Sequence, residues 1–497
     1  MAYQKNYFSS FNYYAQYNPK DMAYEDKQQT ISIKAARNLT HTDKTGPMMV
    51  AGSPRLLLKL LPWREVPGGT LRVNRTKLVF KGSGRVTIEF GDGGVPVITP
   101  EAFRLIPMFY QLPMDIVSNI SSMLKMEQYD MEAVMIKQGE DRDKLFILAD
   151  GSAEFYSTGS RGEELRHKII GPGNYFGEDE LVADVVAGAS VRTLTKCVFI
   201  TLSKSDLHKA LKKNKGDKEL FEDSVTEQME ILAKANEYGE QRVEVKSGHQ
   251  GIEELPKTFV DYIEDPEEIP MNAIQTILKV HSRVTDLYNN PISQLQMQIN
   301  ITMAYMYESQ ESALINDPNY GLLAKCHPNM RLQPKYGTPT PDDVDSLLAM
   351  VWKKPTFFLA HPRAIAAFSR ECTNRGTPPP TTNIDGQTVI TWRGIPFVPS
   401  DKIKVDGHEV SKYGSGRTSI LLIRAGGEDV QGVTGLYQTG TPGEIAPGMS
   451  VRTMGIDDEA IARYLMTLYY NVAVLTEDAL AVLENVEVGY FHDYSEK

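Results

Sequence analysis

The sequence predicts an α+β protein of about three domains. The chain has 497 residues, of which 41% are hydrophobic and 24% charged, enough for about three domains of ordinary size. Between residues 99 and 215 a block of short β-rich runs stands between runs with helical spacing, and helical and β-rich runs follow again after residue 255. Strands grouped in blocks apart from helices are typical of α+β folds.

Residues 1–55 are predicted to form an N-terminal arm without a core of its own. The first 50 residues are polar, show no helical or strand period, and contain eight aromatic residues: Tyr3, Tyr7, Phe8, Phe11, Tyr13, Tyr14, Tyr17 and Tyr24. Such a segment cannot fold alone, although each ring can bury apolar area on another surface. A disordered tail and an arm that becomes ordered on a neighbouring subunit both fit.

Residues 56–98 follow as a β-rich connection. Two apolar runs between Leu56 and Val79 flank Pro67-Gly68-Gly69, which predicts a hairpin or an extended loop.

Residues 99–215 are predicted to form a small β-barrel between helices. Thr99, Pro100 and Glu101 are typical of a helix start. β-rich runs separated by glycines follow, and helical spacing resumes at 204–214. Residues 216–254 are then predicted to form a helical linker.

Residues 255–497 return to an α+β texture. The apolar residues over 292–314 fit a helical stripe, but those from Leu295 to Tyr305 also alternate as in a strand. Length and the following Glu308–Glu311 favour a helix, and the aspartates after Pro341 favour a second helix start. Residues 387–398 and 419–427 are predicted strands. Residues 456–475 and 479–486 are compatible with either helix or strand.

Charge and hydropathy exclude several classes of protein. The net charge of −11 argues against a nucleic-acid partner. No apolar run reaches the roughly 18 residues of a membrane span, and the N-terminus lacks the core of a secretion signal. We therefore expect a cytoplasmic protein with no membrane partner. Residues 1–60 carry 8 basic and 4 acidic side chains, whereas residues 421–497 carry 4 and 12. This asymmetry fits either two separately solvated surfaces or head-to-tail contact between subunits.

No catalytic motif is recognisable. HExxH, GxxxxGK[ST], GxSxG and CxxC are all absent. Cys326 beside His327 could form a thiol–imidazole pair. The sequence shows no third group that would orient the imidazole, so a structural role is favoured. Helix capping explains the aspartates at 342, 343 and 345 without a metal. The sequence predicts neither an enzyme nor a metal site.

One segment has a specific pattern. Tyr175–Leu181 and Gly188–Val191, with Gly139, Leu145–Leu148 and Gly151 upstream, resemble the phosphate-binding cassette and barrel of cyclic nucleotide-binding domains. The resemblance implies a site formed by Phe176, Gly177, Glu178, Ala189 and Ser190. Free N–H groups after Gly177 would bind the cyclic phosphate, Glu178 would accept the ribose 2′-hydroxyl proton, and Ser190 would reach the phosphate or the base.

The cassette departs from the family at one position. The family arginine that pairs with the phosphate would fall at Ala187, and Arg192 is five residues out of register. Losing a charge-assisted phosphate contact weakens binding. We therefore expect cyclic AMP or another cyclic nucleotide to bind weakly or not at all, with no cofactor required. Retention of the barrel for a structural role remains the alternative.

The rest of the chain resembles the shell proteins of encapsulins. The matching stretches are His281–Pro291, Phe358–Pro362 with Glu371–Gly376, Thr391–Pro396 with Pro399–Lys402, and Gly435–Gln438 with Gly448–Ile456. They resemble the second encapsulin family, and the inserted barrel indicates its type 2B branch. The resemblance implies a tailed-phage capsid-like shell fold over residues 1–98 and 255–497.

The same resemblance implies the function. Many copies would self-assemble into an icosahedral shell around a cargo enzyme, which in related systems is a terpene cyclase, a polyprenyl transferase or a cysteine desulfurase. Modulation by a cyclic nucleotide would come from the barrel. The alternative is a cyclic nucleotide-responsive signalling protein that forms no shell.

Overall fold

A computed structural model of the chain describes residues 48–75, 85–90, 95–110, 112–140, 143–159, 161–178, 181, 186–212, 215–236, 239–246, 257, 266–281, 294–406 and 416–489. Residues 1–47 of the predicted arm lie outside the described residues, as do 282–291 of the first encapsulin-like stretch. Among the described residues, none of the helices combines the length and apolarity needed to cross a membrane.

The chain divides into two compact units. The first contains the described parts of Met1–Pro54, Ile274–Ser309 and Thr441–Leu468. The second contains those of Arg55–Ala273, Gln310–Gly440 and Tyr469–Lys497.

The α-helices of the described residues are α1 (Leu56–Leu60), α2 (Pro100–Phe103), α3 (Pro107–Tyr110), α4 (Met114–Ser121), α5 (Lys204–Leu211), α6 (Lys215–Lys234), α7 (Gln294–Asn316), α8 (Leu322–Lys325), α9 (Pro341–Met350) and α10 (Pro362–Asn374). The strands before the barrel are β1 (Trp63–Glu65), β2 (Thr70–Val73), β3 (Glu89–Phe90) and β4 (Pro96–Val97). The barrel strands are β5 (Lys125–Tyr129), β6 (Val134–Ile136), β7 (Lys144–Asp150), β8 (Ala153–Thr158), β9 (Glu164–Ile170), β10 (Tyr175–Phe176), β11 (Ser190–Thr193) and β12 (Cys197–Ser203). The later strands are β13 (Glu267–Pro270), β14 (Asn272–His281), β15 (Arg331–Leu332), β16 (Phe357–Ala360), β17 (Thr381–Ile384), β18 (Gln387–Trp392), β19 (Ile395–Pro399), β20 (Arg417–Ile423), β21 (Val433–Tyr437), β22 (Glu444–Ala446), β23 (Met449–Ile456), β24 (Ile461–Val474) and β25 (Leu480–Glu487).

The barrel in the second unit consists of two antiparallel four-stranded sheets. Their strand orders are β10-β7-β12-β5 and β6-β11-β8-β9. An aromatic core fills the barrel, and a second apolar cluster packs α2–α6 against it, from Val86 to Val225. The predicted order of helix, barrel and helix is confirmed.

A seven-stranded mixed sheet forms the other part of the second unit, in the order β15-β25-β20-β16-β19-β18-β17. It shares one apolar cluster with α9 and α10. In that cluster the rings of Phe358 and Phe397 stack with centroids 4.4 Å apart, and Phe368 stacks on Phe397 at 5.0 Å. The predicted strands over 387–398 and 419–427 are confirmed, and the ambiguous runs over 456–475 and 479–486 are strands.

Helix α9 begins where its aspartates predicted. The Thr340 Oγ1 accepts from the Asp343 backbone N–H, and the Asp343 carboxylate accepts from the Thr340 N–H in return. Pro341 occupies the first turn, where a missing N–H is harmless.

In the first unit, β22 and β24 pair with β23, and α7 confirms the predicted helix over 292–314. The Glu308 carboxylate of α7 accepts from the backbone N and the Oγ of Ser53, each at 2.8 Å.

Of the two alternatives predicted around Pro67-Gly68-Gly69, the hairpin does not form, and the extended loop stays a prediction. β1 pairs in parallel with β21, whereas β2 pairs with β13. The leucine-rich start of the segment forms the short buried helix α1 rather than a strand. Leucine has a high helix propensity and lacks the β-branch that favours strands, and pairing with distant strands replaced the local hairpin.

Candidate functional site

The predicted site residue Phe176 lies inside the barrel. Its ring stacks on Phe146 with centroids 5.2 Å apart and meets Phe155 edge-on, also at 5.2 Å. The side chain is 7% exposed. The ring therefore anchors the start of the cassette to the barrel core.

Gly177 and Glu178 follow as a sharp turn. Gly177 has a φ of +89°, in the left-handed region that favours glycine. The next residue, Glu178, is half-buried. Burial raises the pKa of Tyr175, and the charge of Glu178 raises it further. Burial lowers the pKa of Lys168, and Glu178 opposes that effect. The charge of Glu178 therefore acts on both groups.

Ser190 and Ala189 form the other end of the cassette. The Ser190 Oγ accepts a hydrogen bond from the Gln138 backbone N at 2.9 Å, and the side chain is 5% exposed. Ala189 is half-buried. A hydroxyl that accepts one hydrogen bond can still donate its proton, so Ser190 keeps a donor for a phosphate oxygen.

Ala187, at the family's arginine position, forms part of an apolar wall. Its side chain is 3% exposed and packs in the barrel core. Its backbone is held at both ends: the Gly139 N–H donates to the Ala187 O at 2.8 Å, and the Ala187 N–H donates to the Glu140 O at 2.9 Å.

Arg192 is bound elsewhere and does not replace the missing arginine. Its Nε donates to the buried Glu154 carboxylate at 3.0 Å, and Arg166 donates to the same carboxylate at 2.7 Å. The Arg192 guanidinium also lies 4.8 Å from the ring centroid of Tyr156. Burial alone would raise the pKa of Glu154, but the two arginines hold it below its usual value.

The turn before the cassette contacts the seven-stranded sheet. The Arg85 Nε donates to the Pro172 O at 2.6 Å, and its Nη1 donates to both Glu484 carboxylate oxygens at 2.8 and 2.7 Å. The Gln333 Nε2 donates to Glu484 at 3.1 Å, and Arg331 also binds this carboxylate. Sequence reasoning missed this network, because partners almost 400 residues apart leave no local signal.

Two glycines allow this close approach. A Cβ on Gly171 would lie 2.6 Å from the Gln333 side chain, and one on Gly173 would lie 2.6 Å from the Arg85 side chain. Real Cβ atoms do not approach so closely, so a larger residue at Gly171 would displace the Gln333 side chain. One at Gly173 would also meet the Val86 backbone oxygen at 2.8 Å and would be strained at a φ of +85°.

The cysteine and histidine candidates have structural roles. Burial raises the pKa of the Cys326 thiol to about 12, which keeps it protonated. The His327 Nδ1 accepts from the Asn329 N–H, and the His361 Nδ1 accepts from the Arg363 N–H at the start of α10. Both imidazoles therefore act as helix caps.

The aspartate cluster is also structural. Asp343 caps α9, and the Asp345 carboxylate accepts from the Trp392 Nε1 at 2.6 Å and from Arg393. Among the residues that the structure describes, no group of three or more His, Cys, Asp or Glu side chains could hold a metal ion.

Comparison with known proteins separates the two parts of the chain. The family model of the type 2A encapsulin shell protein SrpI-like matches residues 228–490, and the model of the cyclic nucleotide-binding domain matches residues 126–214. The type 2A encapsulin shell protein SrpI of Synechococcus elongatus is 51% identical over 253 residues, which are 51% of this chain and 80% of that protein. Human cGMP-dependent protein kinase 2 is 33% identical over 89 residues, 18% of this chain and 12% of the kinase.

A solved structure supports the shell fold. The holo-SrpI encapsulin complex from Synechococcus elongatus PCC 7942 is similar with a TM-score of 0.51 and 30% identity, covering 94% of this chain and 99% of that one. This similarity confirms the predicted shell fold.

The type 2B prediction is wrong. It rested on the inserted barrel, but the shell residues themselves match the type 2A model and type 2A proteins. The barrel is matched by a different model. The presence of an insert therefore did not decide the branch. The chain belongs to the SrpI-like family of type 2A encapsulin shell proteins, as a nanocompartment shell subunit that also carries a cyclic nucleotide-binding domain.

Proposed function

We propose that many copies of this chain self-assemble into a closed icosahedral shell that encloses a cargo enzyme. The observation that carries the proposal is the family match over residues 228–490, together with the similarity to holo-SrpI over 94% of the chain. Closed assemblies of identical subunits need complementary contact surfaces on each copy.

The first unit carries apolar side chains that suit such contacts. Its large exposed hydrophobic residues include Ile277, Tyr305, Ile445, Met454 and Ile456. Singly exposed apolar residues are common on protein surfaces, so the contact role proposed for these residues rests on the family match and not on their exposure alone. We expect neighbouring subunits to cover them.

Sizing chromatography and negative-stain microscopy of the purified protein test assembly. Uniform hollow particles are expected, and only monomers or dimers at micromolar concentration would contradict the proposal. Ile456→Glu should reduce the particle fraction, because it places a charge in a contact. Leu165→Glu is the matched control at a similarly exposed apolar residue of the barrel and should leave assembly unchanged.

From the encapsulin resemblance, the proposed cargo is a terpene cyclase, a polyprenyl transferase or a cysteine desulfurase. The shell that encloses it is proposed to lie in the cytoplasm. Co-expression of the shell with one enzyme of each class tests it. One enzyme should co-purify with intact particles and resist added protease, and none should do so if cargo of these classes is not enclosed.

The barrel is proposed to bind cyclic AMP or another cyclic nucleotide weakly, through Phe176, Gly177, Glu178, Ala189 and Ser190. The conformation of the 177–178 turn and the hydroxyl of Ser190 support this proposal. Calorimetry with cyclic AMP on the full chain tests it. Glu178→Ala should abolish the heat of binding, and Glu163→Ala, at an exposed loop, should not.

We also propose that the chain is not itself an enzyme. The protonated Cys326 thiol and the capping roles of His327 and His361 support this proposal, and the chemistry would belong to the cargo. Assays of empty particles against the substrates of the three cargo classes should show no turnover.

The proposed division of the chain is an arm over 1–55, a connection over 56–98, the inserted barrel over 99–215, a helical linker over 216–254, and shell domains over 255–497.

A further inference from the structure

The proposed nucleotide site needs a cation that its cassette does not supply. Ala187 is buried among apolar groups where the family pattern has arginine. A phosphate bound in a half-buried pocket without a cation would lose its hydration and gain no charge-assisted bond.

The strand register brings one lysine to this place. Lys168 of β9 is the cross-strand partner of Phe155 in β8, and directly paired residues project from the same face of a sheet. Phe155 in turn contacts Phe176 edge-on at 5.2 Å. Lys168 therefore shares its face of the sheet with the ring that anchors the cassette.

The charge environment agrees with this placement. Lys168 is half-buried, burial lowers its pKa, and the negative charge of Glu178 opposes that effect. Within the described part of the chain, the Lys168 ammonium has no hydrogen-bond or ion-pair partner, whereas Arg166 and Arg192 on the same sheet both bind Glu154. Lys168 is thus a half-buried cation whose charge interacts with that of Glu178, and none of the described residues takes up its hydrogen-bond donors.

We propose that Lys168 supplies the positive charge for the cyclic phosphate in place of the missing arginine. The inference rests on the proposed cyclic nucleotide function. An ammonium offers three donors on a flexible stem, but not the bidentate fork of a guanidinium. Binding through Lys168 should therefore be weaker than through an arginine.

The test is titration calorimetry of cyclic AMP into the full-length protein and its variants. Lys168→Met should lower the affinity at least tenfold, while Lys168→Arg should keep it. The matched control Lys196→Met, at an exposed residue of the barrel, should change the affinity less than twofold. If the Lys168→Met and wild-type proteins melt at the same temperature, the lower affinity results from loss of the charge and not from loss of the fold.

Ala187→Arg distinguishes failure of this inference from failure of the site. If the wild type binds and Lys168→Met binds equally well, the role of Lys168 is overturned and the proposed nucleotide site stands. If only Ala187→Arg binds, Lys168 does not replace the arginine and the natural chain is no receptor. If no variant binds at millimolar cyclic AMP, the proposed site itself is overturned.

Discussion

At the scale of single residues, Glu154 determines which cations of the barrel are available. It is a buried carboxylate between Arg166 and Arg192, and a buried charge needs such partners. The Arg192 guanidinium is therefore bound by Glu154. Although Arg192 is close to the cassette in sequence, it does not take the place of the missing arginine.

Removing Arg192 should weaken the barrel in a pH-dependent way. Because the folded pKa of Glu154 lies below its ordinary value of 4.5, its pairing contributes stability above about pH 4.5. That contribution is lost as the pH falls through the folded pKa. Arg192→Ala should lower the free energy of opening of β8 and β11 by about 1–3 kcal/mol at pH 7, measured by amide hydrogen exchange.

The loss should shrink toward acid pH, where Glu154 is protonated in both proteins. Arg161→Ala, at an exposed loop of the barrel, is the control and should change nothing. A loss that does not shrink at any acid pH at which the barrel remains folded would contradict the assignment.

At the scale of secondary-structure elements, the start of a helix is encoded by neighbouring residues, whereas the pairing of a strand depends on residues far away in the chain. Helix α9 begins at a capping box within five residues of sequence, so its start was predictable. β1 and β2 are four residues apart, yet each pairs with a strand almost 200 or more residues away. No local pattern encodes those partners.

Removing the cap of α9 tests its energetic role. Thr340→Ala leaves the Asp343 N–H without its side-chain acceptor and should cost about 1 kcal/mol. Urea unfolding monitored by tryptophan fluorescence is suitable, because the Trp392 Nε1 donates to Asp345 on α9. Ser346→Ala, an exposed position in the same helix, should cost less than 0.5 kcal/mol as the control. Equal losses in both variants would contradict the capping role.

Arg85 should hold the turn at 171–174 on the sheet. Arg85→Met keeps the length of the side chain but removes its bonds to the Pro172 O and Glu484. Amides 173–174 should exchange at least tenfold faster, while β25 keeps its protection, since Arg331 and Gln333 still bind Glu484. Arg64→Met, an exposed ion pair, is the control, and unchanged exchange at the turn would contradict the role of Arg85.

At the scale of the whole molecule, the barrel has its own apolar core, and the segments before and after the barrel contact each other. The cluster from Val86 to Val225 belongs to the barrel and its helices. On either side of it, β2 pairs with β13, and the Arg75 Nε lies 3.3 Å from the Glu240 carboxylate. An insert is tolerated where its two ends lie close and its core is self-sufficient.

Replacing residues 86–225 with a flexible Gly/Ser linker should therefore leave assembly intact. Negative-stain microscopy should show particles of the wild-type diameter. Replacing only 99–215 is the informative comparison, because it leaves Val86, Ile98, Phe221 and Val225 without their partners and should promote aggregation. If neither variant forms particles, the barrel takes part in assembly and the prediction is wrong.

Much of the fold and part of the site were predictable from patterns. Helices α7 and α9, the barrel and strands β18, β19 and β20 follow from apolar spacing, run length, caps and the glycines between runs, because these are local properties. The runs that form β24 and β25 were left open between helix and strand. The positions of Phe176, Gly177, Glu178 and Ser190 follow from one contiguous cassette. The hairpin failed because strand partners are chosen by distant residues.

By itself, the sequence determined the encapsulin shell family but not its branch, together with the barrel and the absence of arginine at position 187, since these are written in short local stretches. Only the tertiary structure decided that Arg192 pairs with Glu154, that Lys168 lies opposite Phe155 in the barrel sheet, and that Arg85 joins the cassette turn to Glu484. The physical reason is that charges act through space: a buried carboxylate takes whichever cation the strand register brings to it, whatever its distance along the chain.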